Sequence, residues 1–259
     1  MAHLKLNHLS MSFGGIKAMH DLNFSIEEGE ILGIIGPNGA GKTTLFNCLT
    51  GVYVPSEGEI VFHDNDGQTV SFKNKRMDEI TKLGFARTFQ NIRLFNQSTL
   101  LDNIKIGMNQ KGNYNFIDAL LRTSRYYDTE EEFNREALRY LEIVGLSDRA
   151  EDLAGNLSYG DQRRLEIVRA IATGAKYLFL DEPAAGMNGT ETLELKSLIR
   201  TIHEHFNLTI VLIEHDMGLV MDVCDRLLVL NFGKQIALDV PSAVQKDEVV
   251  IKAYLGEAS

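Results

Sequence analysis

The first 30 residues alternate between apolar and polar positions. Leu4 and Leu6 fall on one side, with Leu9 a candidate third, and Leu22, Phe24 and Ile26 repeat the pattern before Glu27-Glu28-Gly29-Glu30. A period of two predicts antiparallel strands with one buried face. The pattern then changes. Ile31, Leu32, Ile34 and Ile35 form a short apolar run, as expected for a parallel strand buried on both faces. Thr44, Leu45, Phe46, Cys48 and Leu49 continue as a helix that Gly51 can close. Pro55-Ser56-Glu57-Gly58 predicts a turn, and residues 59–62 and 70–72 a further hairpin connected through 63–67. From Leu83 the chain runs apolar and aromatic to Gln90.

Residues about 91–157 change character and read as mostly helical, with a polar loop at 111–115. Phe133, Ala137, Leu141 and Val144 recur at helical spacing, and Gly145 closes that helix. Glu130, Glu131 and Glu132 are expected in its first turn, where the helix dipole favours them. Leu157-Ser158-Tyr159-Gly160-Asp161-Gln162 follows. Ser158 and Asp161 have the spacing of a capping box, and Leu165, Val168 and Ala172 mark a buried helix face behind them. Strands are then expected at 177–180, 209–213 and 227–230, with a helix over 193–205 and a helical tail from Pro241. Alternating strands and helices predict an α/β fold with a parallel sheet, whose strand C-termini carry the chemistry.

Three of those termini carry suitable groups. After the first buried strand comes Gly36-Pro37-Asn38-Gly39-Ala40-Gly41-Lys42-Thr43, a full G-x-x-x-x-G-K-[ST] phosphate loop in its strand–loop–helix context. Its glycines let the backbone approach phosphate oxygens, Lys42 supplies a mobile cation, and Thr43 a hard oxygen for Mg²⁺. The strand at 177–180 delivers Asp181 and Glu182. An acidic pair there is by itself only an exposed strand end. Beside a phosphate loop, Asp181 can hold Mg²⁺ through its water shell and Glu182 can polarise an attacking water. The strand at 209–213 ends at Glu214-His215-Asp216, which places His215 to bond a terminal phosphate. Gln90 and His215 are weak signals taken singly. Phe13, ahead of Gly14-Gly15, is either a core ring or a flat surface for adenine.

Composition narrows the class. A chain of 259 residues buries a substantial core, and its net charge of −10 argues against a general nucleic-acid surface. Cys48 and Cys224 form no C-x-x-C and read as reduced thiols in or near the core. The first residues lack an apolar h-region, so no secretory signal is expected, and no apolar run reaches the roughly 18 residues of a bilayer span.

GPNGAGKT, Gln90, LSYGDQ, YLFLDEP and IEHD occur in the order found in ATP-binding subunits of ABC transporters, and the resemblance covers essentially the whole chain. LSYGDQ is its decisive element. With RRLEIVRA, with Asp181-Glu182-Pro183 followed by Ala184, and with the 253–257 run AYLGE, the chain resembles the ATPases of branched-chain amino-acid importers. The family's usual D-loop aspartate is replaced by Asn188, after Ala185, Gly186 and Met187. The resemblance implies an α/β P-loop NTPase (RecA-like) parallel-sheet core with an N-terminal antiparallel β subdomain. It also implies a helical insertion at about 91–157 and a tail at about 241–259, all in one ABC ATPase domain over 1–259.

It further implies ATP and Mg²⁺ as cofactors. The ATP-binding set is Phe13, Gly36, Pro37, Asn38, Gly39, Ala40, Gly41, Lys42, Thr43 and Thr44, the metal set Thr43, Gln90 and Asp181, and the catalytic set Glu182, His215 and Gln90. Leu157, Ser158, Tyr159, Gly160, Asp161 and Gln162 would close over the ATP of a second ATPase subunit, sister or identical. Two transmembrane permease subunits and an extracellular or periplasmic solute-binding protein complete the implied assembly. Its ATPases would sit in the cytoplasm on the inner face of the membrane. Rival readings are a non-transport ABC scaffold of the iron–sulfur assembly type, a lipopolysaccharide-export ATPase, a chromosome or repair ATPase, and a small-molecule kinase or GTPase. The acidic chain disfavours the DNA-bound class, and Asn74-Lys75-Arg76-Met77 lacks the aspartate of a guanine-reading motif.

Overall fold

A computed structural model of the chain describes residues 3–64, 67–108 and 124–255. The expected polar loop at 111–115 and the last two residues of the 253–257 run lie outside these. The alternating N-terminal segments form β1 (His3–Phe13) and β2 (Ile16–Glu27). They pair antiparallel, with β4 (Glu57–His63) on the other edge of β1 and β5 (Thr69–Ser71) beyond it. The turn expected at 55–58 is shorter than the sequence suggests, because Glu57 already pairs with Ser10.

The second sheet has the order β10-β9-β3-β8-β7-β6. Here β3 (Ile31–Ile35), β6 (Phe85–Arg87), β7 (Tyr177–Asp181), β8 (Thr209–Ile213) and β9 (Arg226–Asn231) run parallel. Only β10 (Lys234–Asp239) is antiparallel. Every residue of β3, β7 and β8 is buried, which is why these strands read as unbroken apolar runs. Their pleat still sorts the side chains. Leu32, Ile34, Phe179, Val211 and Ile213 join the core beneath the N-terminal sheet. Ile31, Ile35, Leu178, Leu180, Ile210 and Leu212 join the core beneath the helices. Each such side chain contributes about 1.5–3 kcal/mol relative to exposure.

The helices are α1 (Lys42–Leu49), α2 (Met77–Lys82), α3 (Leu100–Met108), α4 (Ser124–Ile143), α5 (Tyr159–Ala172), α6 (Gly189–Phe206), α7 (Met217–Val223), α8 (Pro241–Val244) and α9 (Glu248–Leu255). Helix α4 ends where Gly145 turns left-handed at φ 69°, as its sequence predicts. Its start differs. The helix begins at Ser124, so Glu130–Glu132 lie in its middle, and Glu130 is held by Lys105 at 2.5 Å rather than by the helix dipole. Helix α6 starts four residues before the expected Leu193. Asn188 caps it, accepting from the amides of Thr190 and Glu191, while Glu191 accepts from the Asn188 amide at 2.9 Å. No described helix is long and apolar enough to cross a membrane. Both cysteines are buried and free, and burial pushes the Cys48 thiol up to about 12.

Candidate nucleotide site

In the strand order β3–β8–β7, three neighbouring strands end side by side. They deliver the phosphate loop, Glu214-His215, and Asp181-Glu182 to one edge of the sheet, the position where open α/β sheets bind ligands. A cleft of about 270 Å³ opens there. It is lined by the loop from Asn38 to Thr44, by Ala18 of β2, and by Glu182 and His215.

The loop is shaped by close approach. Gly36 stands at φ 149°, and a Cβ on it would sit 2.1 Å from the Leu230 carbonyl oxygen of β9. Gly41, at φ 100°, would carry a Cβ 2.8 Å from the Ala18 carbonyl oxygen. No side chain can be added at either place without moving backbone. Gly41 also caps α1, and no side chain bonds to the helix start. The first amides of α1 are therefore available to an anion. Lys42 is 7% exposed, and its Nζ donates to the carbonyls of Gly36 (2.7 Å) and Pro37 (3.1 Å). Burial lowers its pKa, and the nearby Glu182 charge opposes that shift. Its ammonium is thus already in the loop, parked on carbonyls that a phosphate can replace. Thr43 is exposed.

Glu182 is the hub of the opposite wall. It is one of the few non-glycine residues at positive φ, 46°, a conformation that costs on the order of 1 kcal/mol or more and clusters at functional sites. Its amide donates to the Ile213 carbonyl at 3.0 Å. Its carboxylate is held on both oxygens. Gln90 Nε2 donates to Oε2 at 2.7 Å, and His215 Nε2 lies 2.9 Å from Oε1. A carboxylate only accepts, so that ring nitrogen carries the proton. The structure thus brings Gln90 and His215 to Glu182 from 92 and 33 residues away in sequence.

Three residues to which the sequence reading gave no role lie behind this wall and do not line the cleft. Glu214 is 5% exposed, and its carboxylate accepts from the amides of Ala184 (2.6 Å) and His215 (3.0 Å), which ties the ends of β7 and β8 together. Burial pushes its pKa up, and the Glu182 charge adds to the shift. Arg87 at the end of β6 donates to Asp181 Oδ2 at 2.7 Å and to Asn47 and Thr50 of the α1 region at 2.6 and 3.1 Å. Arg163, on α5, is fully buried. Glu214 stands within the noted Glu214-His215-Asp216 run. The two arginines carry no signal of this role, because Asp181 lies 94 residues from Arg87 and Gln90 lies 73 from Arg163.

The remaining expected residues fall elsewhere. Phe13 is 43% exposed, its ring edge-on to Tyr53 with centroids 5.3 Å apart, so it is a surface ring rather than a core one. Ser158 caps α5 and accepts from the Asp161 amide at 3.2 Å. Asp161 pairs with Arg149 and Arg164 instead of completing the box. Gln162 donates to the Leu157 carbonyl, and Tyr159 is exposed. None of Leu157–Gln162 lines the cleft. Asn188, with Ala185, Gly186 and Met187 before it, starts α6, and a Cβ on Gly186 would sit 3.8 Å from the Tyr159 ring.

A phosphate loop, an acid pair on the second strand over, and a capped helix whose first residues lie outside the cleft define a nucleotide-hydrolysing P-loop cassette. Residues 19–185 match the ABC transporter family, and the chain belongs to it. It is 44% identical over 98% of its length, and 98% of the relative's, to the high-affinity branched-chain amino acid transport ATP-binding protein LivG of Escherichia coli (strain K12). BraF of Pseudomonas aeruginosa, which carries the same description, is similar to the same extent. The solved ADP conformation of an ATP-binding cassette of an ABC transporter superposes with a TM-score of 0.82 at 30% identity, covering 99% of this chain and 100% of that one. The chain is accordingly an ATPase of this family, with its fold.

Proposed function

We propose that this chain is the ATP-hydrolysing subunit of an importer for branched-chain amino acids. The observation that carries the reading is the division of the site: the phosphate loop and Glu182 share a cleft that Ser158 and its helix do not reach. A second ATPase subunit, facing this one head to tail, would lay its own capped helix over the ATP bound here. Leu157–Gln162 would in turn close over the partner's ATP, adding the positive end of a helix dipole at the terminal phosphate.

In that assembly the Gly36–Thr44 loop binds the phosphates, with Lys42 exchanging loop carbonyls for phosphate oxygens. The exposed Phe13 ring offers the adenine a face. Glu182 polarises the attacking water, and His215 bonds the terminal phosphate. Thr43, the Gln90 amide oxygen and Asp181 are hard oxygen donors of the kind Mg²⁺ takes, and these residues would hold it. When bound, the metal neutralises phosphate charge. Ala185–Asn188 would follow the partner's movement beside Tyr159.

Transport needs membrane-spanning partners, and no described helix of this chain spans. An apolar groove of about 620 Å³, bordered by Ile80, Phe85, Phe89, Phe95, Ile106 and Arg169, lies beside the Gln90 loop and suits a permease segment. Two permease subunits, a solute-binding protein outside the membrane, and a position on the inner face of the membrane follow from this reading. The 44% identity over nearly whole chains to proteins named for branched-chain amino-acid transport supports the cargo.

The test is affinity purification of the tagged chain from detergent-solubilised membranes, with companions identified by mass. Two polytopic permeases and a second short ATPase are expected, and the cognate receptor's solute names the cargo. Recovery with soluble assembly proteins alone overturns transport.

A further inference from the structure

The loop that carries Gln90 belongs to α5, the helix capped by Ser158, and not to the sheet it leaves. The sheet's last main-chain hold is on Thr88, whose amide donates to the Phe179 carbonyl of β7 at 2.9 Å. One residue later the loop passes to α5. Arg163 Nη1 donates to the Phe89 carbonyl at 2.7 Å, and Nη2 to the Gln90 carbonyl at 2.8 Å. Glu166, one turn on, accepts from the Arg93 amide at 3.0 Å, and Arg169 donates to the Arg93 carbonyl. Four main-chain groups between Phe89 and Arg93 are thus bound by three side chains on one face of one helix. The buried part of the clamp is neutral, since Arg163 and Glu166 pair at 2.7 Å with exposures of 0% and 2%.

We infer that Arg163 is a positioning residue for hydrolysis: it fixes the main chain of Gln90 to α5, so that the Gln90 amide meets Glu182 only when α5 and the sheet stand in register. A shift of α5 against the sheet carries Gln90 with it and draws the amide off the Glu182 carboxylate. Glu166 and Arg169 also border the apolar groove beside the loop, so a segment seated there presses on the same clamp. The inference rests on the reading of Gln90 and Glu182 as parts of the hydrolysis site.

Arg163→Lys tests it. Lysine keeps the charge beside Glu166, but its one nitrogen replaces the planar two-nitrogen fork that spans the Phe89 and Gln90 carbonyls while pairing Glu166. Turnover is measured on the full chain with the subunits that co-purify, beside Gln90→Ala and the double variant. The expected result for Arg163→Lys is a kcat lower by about tenfold, the rate equivalent of one charge-assisted hydrogen bond, with KM for ATP within about twofold of wild type. In the Gln90→Ala background the same substitution changes kcat by less than about twofold, because its effect passes through Gln90. An unfolding midpoint near wild type excludes general loosening. Arg163→Lys at wild-type kcat, or equal losses in both backgrounds, overturns the clamp. If Gln90→Ala itself turns over like wild type, the site reading fails instead.

Discussion

Replacing Arg87 by methionine leaves Asp181 without its cation. The two side chains are 11% and 10% exposed and 2.7 Å apart, so water screens little of the pair. Removing one partner of a buried pair costs about 3–5 kcal/mol, most of it the penalty of a stranded charge. The open cleft nearby puts this site at the lower end. Arg87 also donates to Asn47 and Thr50 and lies 4.9 Å from the Phe46 ring centroid. Thr50 keeps its bond to the Phe46 carbonyl at 2.8 Å, so this adds only about 1 kcal/mol. Methionine fills the stem volume, so no large cavity opens. The sum is about 4 kcal/mol, which lowers the thermal midpoint by roughly 10 °C for a chain of this size. Urea unfolding of the nucleotide-free protein measures it directly. Adding Asp181→Asn to the variant removes the stranded charge and should restore about 2 kcal/mol. A single-variant loss below about 1 kcal/mol, or a double variant as unstable as the sum of its parts, refutes the argument.

Glu182→Gln keeps the shape of the hub, and Gln90 and His215 can re-orient to the new amide. Turnover should fall by about 10²–10⁴-fold with ATP binding intact, as read by phosphate release and nucleotide titration. Wild-type turnover would remove Glu182 from the base role. Lys42→Ala should abolish tight ATP binding, and unchanged affinity would count against the loop. Burial raises the Glu214 pKa above its ordinary value of 4.5. A raised folded-state pKa means that this group's stabilising contribution is full below that value and is lost as pH rises through the folded one. From about pH 8 to about pH 5, wild type should therefore gain unfolding free energy relative to Glu214→Gln; a constant difference in urea midpoints would contradict the shift.

The sheet is legible in the sequence because burial on both faces leaves an unmistakable trace, as in Tyr177–Asp181 and Thr209–Ile213. The phosphate loop is legible because its glycines and lysine answer a local geometric demand. Helix starts are less so. Helix α4 runs back from Phe133 through the polar residues of 124–132, which no apolar period marks. Asn188 departs from the family pattern, yet it caps α6 as an aspartate would, which satisfies the local demand without the charge. Phe13 stays ambiguous in sequence because exposure is decided by what packs around it. Gln90 has no local distinction at all, and its place beside Glu182 depends on how the helical part docks on the sheet.

That docking turns on unequal bonds. Gln90 reaches Glu182 through one exposed amide–carboxylate contact, worth roughly 1–2 kcal/mol in water. On the other side, the Phe89–Arg93 main chain is held by Arg163 and Glu166, which water does not reach, and by Arg169. The Arg163 and Glu166 bonds are charge-assisted and worth at least as much, and releasing either strands a side chain that is 0–2% exposed. Arg87 grips the loop only through its stack on the Phe89 ring, 5.2 Å from the centroid. Any force that separates α5 from the sheet therefore breaks the Gln90–Glu182 contact first and leaves the clamp whole. The order follows from burial and charge, and it places the weaker of the two holds on this loop at the carboxylate proposed to activate water.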